Sequence, residues 1–140
     1  MSNFFNDLVE QIKDDNTHIV AGGLGSAEFS GYIDTGSYIL NAALSGSIYG
    51  GVPNNKVTAF AGEQATGKTF FALGVVQQFL LDHPDGGVIY FDTEAAVTRD
   101  MMDGRGIDTR RVIVSEPDTI QKFRKVCLDI IDKYNNTPEK

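Results

Sequence analysis

Cysteine is nearly absent: the single residue of its kind, Cys127, has no second thiol in the chain with which to form a disulfide. No stretch is apolar over the roughly 20 residues that a membrane-spanning helix needs, and nothing resembles a secretory signal. A disulfide-stapled scaffold and a membrane span are thereby excluded, and a reducing cytoplasm is the expected setting. The apolar neighbours of Cys127 mark it as a core position rather than a nucleophile. Positive charge is also scarce. A net charge of −7 and a pI of about 4.6 leave no nucleic-acid footprint in the total. Residues 1–55 hold one base, Lys13, against six acids, whereas Arg99, Arg105, Arg110, Arg111, Lys122, Arg124 and Lys125 gather seven of the twelve bases in one short region. A solvated mixed-charge face explains that cluster more simply than a binding patch does. With 140 residues, 41% of them hydrophobic, the chain can bury one core but hardly two.

The most informative stretch is Lys56 to Phe70. An apolar run, Val57 to Ala61, reads as a strand and leads into Gly62-Glu63-Gln64-Ala65-Thr66-Gly67-Lys68-Thr69, which matches the phosphate-binding loop G-x-x-x-x-G-K-[ST] at every specified position. Glycines at 62 and 67 permit backbone angles that let the intervening N–H groups cradle phosphate oxygens at a helix N-terminus. Lys68 supplies a point charge to the outer phosphates. The Thr69 hydroxyl suits magnesium, a hard cation that shares its oxygen ligands with a nucleotide.

Along the rest of the chain, Phe4, Phe5, Leu8, Val9 and Ile12 recur at helical spacing. The glycine-dense residues 21–25 then form a joint, so this helix either folds back on its own core or docks on a neighbouring subunit. His18, alone near the joint, has no functional role by this reading. Residues 28–33 read as extended, Thr35-Gly36-Ser37 as a cap, and the following residues as a helix to Leu44 that Ser45-Gly46 ends. A turn is expected over 50–55. Beyond the loop, Phe70 to Leu81 form a helix apolar round much of its circumference, which predicts burial against a sheet. Val88 to Asp92 is a continuous apolar run ending in an acid, as in a buried parallel strand. Glu94 follows, at the edge that also carries the loop, where it serves as a general base for water or as a plain surface acid. Thr98 caps a short helix; 111–115 is a strand; Asp118 caps a helix striped with Ile120, Phe123, Val126, Cys127, Ile130, Ile131 and Tyr134 and closed near Pro138. Alternating strands and helices predict a three-layer α/β fold with a mainly parallel sheet.

The phrase Tyr32-Ile33-Asp34-Thr35-Gly36-Ser37, Leu40 to Gly46, the loop GEQATGKT, Tyr90-Phe91-Asp92-Thr93-Glu94, Gly106-Ile107-Asp108 and Ser115 to Thr119 together resemble the first part of a RecA-type recombinase core over roughly residues 32 to 120. Leu44-Ser45-Gly46 followed by Gly50-Gly51 is most similar to the UvsX recombinases of myophages. The resemblance implies a RecA-like P-loop NTPase core, a parallel sheet flanked by helices, with residues 1–27 as an oligomerisation helix and linker and 28–140 as the N-terminal part of the ATPase core. It implies ATP and magnesium as cofactors, and Gly62, Glu63, Gln64, Ala65, Thr66, Gly67, Lys68 and Thr69 as the triphosphate site. Thr69 would meet the metal, and Lys68 and Glu94 would be catalytic. Partners implied are single-stranded DNA, further copies of the chain in a helical filament, and single-strand-binding and mediator proteins; a phage-encoded protein would act in the host cytoplasm.

Two departures stand out. Where bacterial RecA proteins place an aromatic residue that stacks on adenine, this chain has Met101, whose thioether can still pack on a ring. The family's second acidic strand, DNA-binding loops and C-terminal region would lie beyond residue 140, so the expectation is an N-terminal segment that does not turn over ATP by itself. Two other classes fit the loop: a helicase or kinase on the same core, and a non-enzymatic segment that binds nucleotide or recombinase subunits. The 32–46 phrase and Glu94 argue against a kinase.

Overall fold

The computed structural model describes residues 2–13, 17, 19 and 31–137. The expected joint at 21–25, His18, the extended residues 28–30 and Pro138 lie outside them. Helix α1, Ser2–Ile12, is the amphipathic helix read from its spacing, and its Phe4, Phe5, Leu8 and Ile12 side chains stay exposed rather than packing into the chain's own core.

From residue 31 to 54 the chain winds round one buried amide. Strand β1, Tyr32–Ile33, pairs antiparallel with β2, Val52–Pro53, and between them runs α2, Tyr38–Ser45. Ser37 caps α2 by accepting the Leu40 N–H, and Gly46 closes it by donating to the Ala42 carbonyl. Asn41 points inward from α2 with no exposure, so each of its polar atoms must find a partner. Its Oδ1 accepts from the Thr35 N–H at 3.0 Å and the Thr35 hydroxyl at 2.7 Å; its Nδ2 donates to Asp34 Oδ1 at 3.0 Å and to the Ile48 carbonyl at 3.1 Å. The Ser45 hydroxyl donates to the Asn41 carbonyl at 2.7 Å and accepts from the Gly51 N–H at 3.3 Å, tying the end of α2 to the start of β2.

Helix α3, Lys68–Asp82, joins this polar hub to the apolar core. Gly74 lies so near the hub that a Cβ there would stand 2.8 Å from the Thr35 carbonyl oxygen, a contact only glycine allows. On its other side Leu73 and Leu80, seven residues apart and so on one stripe, are buried with Met102 and Ile107, and Val76, Phe79, Val88, Tyr90, Val97 and Val112 pack around them. Strand β3, Val88–Phe91, runs parallel to β4, Val112–Ser115, with Val88 opposite Val112 and Phe91 opposite Ser115. Parallel neighbours require a crossover, here containing α4, Arg99–Asp103, capped by the Thr98 hydroxyl, and a 3₁₀ turn at Thr109–Arg111. Arg111 comes out of that turn and clamps the end of α3: its guanidinium donates to the carbonyls of Leu80, His83, Pro84 and Gly86. Cationic donors at a helix C-terminus satisfy carbonyls that the helix leaves without partners.

Several expectations need correction. The fold is α/β, but its described strands form two separate pairs, one antiparallel and one parallel, rather than one mainly parallel three-layer sheet. Residues 57–61 belong to neither pair, and Val57 is fully exposed, because a strand needs a neighbour's backbone and no described strand offers one there. The expected turn at 50–55 contains β2, hidden in the sequence by Pro53, a residue that sheets admit mainly at edges. The final helix α5, Ile120–Asn136, is capped by the Thr119 hydroxyl, while Asp118 pairs with Lys122 instead. Its apolar stripe is not buried: Ile120, Ile131 and Tyr134 are exposed, Cys127 is half-buried, and Phe123 meets Phe91 edge to face at 4.8 Å. On α3, Phe70 and Leu81 are likewise exposed.

Asn41→Ala would strand the buried Thr35 N–H and the Ile48 carbonyl. It should lower stability by about 2–3 kcal/mol in urea unfolding, since each orphaned buried group costs about 1–3 kcal/mol. A loss below about 0.5 kcal/mol, the scale of ordinary surface substitutions, would show that the hub does not hold residues 31–55 together.

Candidate functional site

The loop residues 62–69 end at the amino terminus of α3. Gly67 sits at the N-cap with φ 88°, in the left-handed region, and no side chain caps the helix. The first N–H groups of α3 are therefore left without an intrahelical or side-chain acceptor, and the helix dipole adds positive potential at that point. Ala65 also has a positive φ, 63°, an unfavourable backbone for a residue with a Cβ. Three bonds hold the loop closed on itself: the Thr66 hydroxyl donates to the Glu63 carbonyl at 2.8 Å, and Lys68 Nζ donates to the carbonyls of Gly62 at 3.0 Å and Glu63 at 2.7 Å. An ammonium has three donors, so one remains for a ligand.

Gln64, Ala65, Thr66, Gly67, Lys68 and Thr69 form one wall of a cleft of about 850 Å³. Tyr90, Phe91, Asp92, Thr93, Glu94, Ala96 and Val97 form the other. The structure thus brings Lys68, Thr69 and Glu94 to one cleft, while Gly62 and Glu63 contribute carbonyls that position Lys68. Gly62 instead lines a neighbouring groove of about 510 Å³ with Leu40, Ala59, Phe60 and Phe71 among its walls.

Asp92 supports the far wall. Its carboxylate is buried at the end of β3 and accepts from the Glu94 N–H at 3.2 Å and the Val97 N–H at 2.9 Å, so it fixes the turn from which Glu94 projects into open solvent. The sequence marks Asp92 as an acid closing a strand but carries no sign of this supporting role, because both bonds run to backbone groups. Tyr90 is the other residue that sequence reasoning passed over: a continuous apolar run does not say which side chains face a cleft. Burial, and then the charge of Asp92, push its phenol up from its ordinary pKa, so it is a protonated donor at neutral pH.

The basic cluster is largely spent within the chain. Arg99 pairs with Asp103 at 3.2 Å, Arg110 with Asp108 at 2.9 Å, and Lys122 with Asp118 at 2.9 Å, while Arg111 holds the end of α3. This is the mixed-charge face that composition favours. The guanidinium of Arg110, which hydrogen-bonds Asp108, holds that carboxyl down at about 2, with Arg111 adding to the effect. Among the described residues no three His, Cys, Asp or Glu side chains gather as a metal-binding group, and no helix is long and apolar enough to cross a membrane. A cation shared with phosphates needs few protein ligands, and the exposed Thr69 hydroxyl at the cleft wall fits that role.

Residues 9–137 match the family model of the RecA N-terminal domain. The chain is 37% identical over 101 residues to the RecA protein of Nautilia profundicola, covering 71% of this chain and 26% of that one. It is 38% identical over 96 residues to RecA of Mycolicibacterium vanbaalenii, covering 68% and 26%. The recombination and repair protein of Enterobacteria phage T4 is 27% identical over 97 residues, covering 69% and 24%. The chain spans about a quarter of the length of the curated relatives it matches.

The Asp108 pair makes a pH prediction. A carboxyl held at about 2 in the folded state and near 3.8 when free stabilises the fold above pH ~4, and that contribution is lost as pH falls from about 4 through about 2. Asp108→Asn should lower stability at pH 7 and flatten the acid limb of a urea-midpoint profile in that window. Parallel profiles for variant and wild type would contradict it.

Proposed function

Since this chain belongs to the RecA N-terminal domain family, we propose that it is the nucleotide-binding part of an ATP-dependent DNA recombinase, a DNA-dependent ATPase that forms filaments on single-stranded DNA, pairs homologous sequences and exchanges strands. The observation that carries the reading is the cleft with Lys68 and Thr69 on one wall and Glu94 on the other. The open N–H groups of α3 and the free donor of Lys68 suit the phosphates of ATP. The Thr69 hydroxyl would hold magnesium, which when bound supplies positive charge to the phosphate oxygens. Glu94, set by Asp92, takes a proton from water as the water oxygen bonds to the terminal phosphorus and the bond to the bridging oxygen breaks. The hydrolysis products leave as ADP and phosphate.

Residues 1–27 are proposed as an assembly segment and 28–140 as part of the ATPase core. The exposed apolar face of α1 supports docking on the next subunit of a filament. Within the family, Leu44-Ser45-Gly46 followed by Gly50-Gly51 supports a place near the myophage UvsX branch; the phage relative is less identical than the bacterial ones, so this placement rests on those residues. A cytoplasmic setting and single-strand-binding and mediator proteins as partners belong to the same reading.

In a protein of the relatives' full length carrying these residues, Lys68→Ala should weaken ATP binding at least about tenfold, the scale of a lost charged hydrogen bond, and abolish turnover. Glu94→Gln should keep binding and filament formation while hydrolysis falls about a hundredfold. Calorimetry and steady-state ATPase assays with single-stranded DNA measure both. Undiminished ATP affinity in the first variant, or near-normal turnover in the second, would sink the assignment of that residue.

A further inference from the structure

Side chains along β3 alternate between its two faces. Phe91 meets Phe123 of α5 on one face, while Val88 and Tyr90 pack on the other against Leu73, Leu80, Met102 and Ile107. Among the described residues that form or surround this core, Tyr90 alone carries a hydroxyl. A phenylalanine would fill the same space, so packing does not account for that oxygen. Among the described residues no buried side-chain oxygen or nitrogen lacks a hydrogen-bond partner, yet the Tyr90 hydroxyl makes no hydrogen bond to them. The hydroxyl is therefore not sealed in the core. It opens outward, and the opening that Tyr90 lines is the cleft shared with Lys68, Thr69 and Glu94. Asp92, two residues on and on the same face, accepts the Glu94 and Val97 N–H groups with its Oδ1 and Oδ2, and its charge still acts on the phenol.

A phosphate chain held by Lys68 and Thr69 presents oxygens to the opposite wall as well. Of the polar side chains there, Asp92 and Glu94 are acids, which repel an anion, and only Tyr90 and Thr93 carry a donor. Thr93 is exposed and also lines a second groove with Pro117, Thr119 and Phe123. Tyr90 is half-buried and held by the core, so its hydroxyl needs little ordering before it can bond a ligand. It lies about 7 Å back along β3 from Asp92, deeper than the turn from which Glu94 projects. We propose that the Tyr90 hydroxyl donates a hydrogen bond to an oxygen of the bound phosphate chain, gripping from β3 the ligand that Lys68 and Thr69 hold from α3. This rests on the nucleotide reading of the loop. The raised phenol suits the role, because it keeps its proton at neutral pH even beside the charge of Asp92.

Tyr90→Phe removes one oxygen and keeps the ring in the core. In calorimetry on the chain, the variant should bind inorganic tripolyphosphate about tenfold more weakly than wild type does, the scale of a hydrogen bond to a charged group. The melting temperature of the unliganded chain should not change. A merely structural role would leave the phenol blind to the ligand, so the second readout is the carbon-13 ζ resonance of Tyr90 in the tyrosine-labelled wild-type chain, assigned through its own backbone. It should shift on titration with tripolyphosphate and saturate at the affinity that calorimetry gives. This resonance also tests the contact if the variant fails to fold. Undiminished affinity in Tyr90→Phe, or a ζ resonance unmoved at saturation, would overturn the contact; a weakened Lys68→Ala in the same assay would show that the loop reading survives. Absence of binding by wild type, or binding that Lys68→Ala leaves unchanged, would overturn the loop reading and the Tyr90 contact with it.

Discussion

The burial of Leu73 and Leu80 fixes the axis of α3, and the rest of the molecule is disposed about that axis. Each fully buried leucine contributes roughly 2–3 kcal/mol by removal from water, and the pair sits on the stripe that meets Met102, Ile107 and the parallel strands. The two ends of the helix are treated oppositely. At the carboxyl end Arg111 takes up carbonyls of Leu80, His83, Pro84 and Gly86. At the amino end Gly67 offers no side-chain cap, and the N–H groups remain available. One end is satisfied by the chain itself and the other keeps its N–H groups open, so the packing of the helix sets the geometry of the candidate site.

The second support is polar. The Asn41 hub satisfies every atom of a buried amide, and Gly74 lets α3 lie against the Thr35 carbonyl that belongs to that hub. A fully partnered buried network costs little and permits few alternative arrangements, which suits a segment with only two short strands of its own. Much of the phrase that resembles recombinases between residues 32 and 46 is this hub. Its Asp34, Thr35, Ser37, Asn41 and Ser45 are joined to one another or to nearby backbone, and none of them lines the cleft.

What could be read from the sequence was what neighbouring residues decide among themselves. The loop, the Ser37 and Thr98 caps, the glycine at the end of α2 and the helical periods of α1, α3 and α5 are local chemistry, and their positions agree closely with the structure. Pairing is not local. Residues 57–61 have the composition of a strand without a described partner, and Val52–Pro53 have an unpromising composition with one. Burial of a stripe is no more local: α5 has the period of a packed helix and yet exposes Ile120, Ile131 and Tyr134. Within the candidate site, motif and resemblance pointed to Lys68 and Glu94, which the structure places on one cleft. The supporting role of Asp92 was not legible, because it acts through backbone N–H groups.

The central claim is that the uncapped amino end of α3 receives a polyphosphate. Nuclear magnetic resonance of the nitrogen-15-labelled chain, titrated with inorganic tripolyphosphate, addresses it atom by atom. The backbone amides of Gly67, Lys68 and Thr69 should shift most and saturate together, with Glu94 responding across the cleft and Asn41 unmoved. Shifts concentrated on α5 or around the Asn41 hub, or loop amides that do not respond at saturating tripolyphosphate, would contradict it.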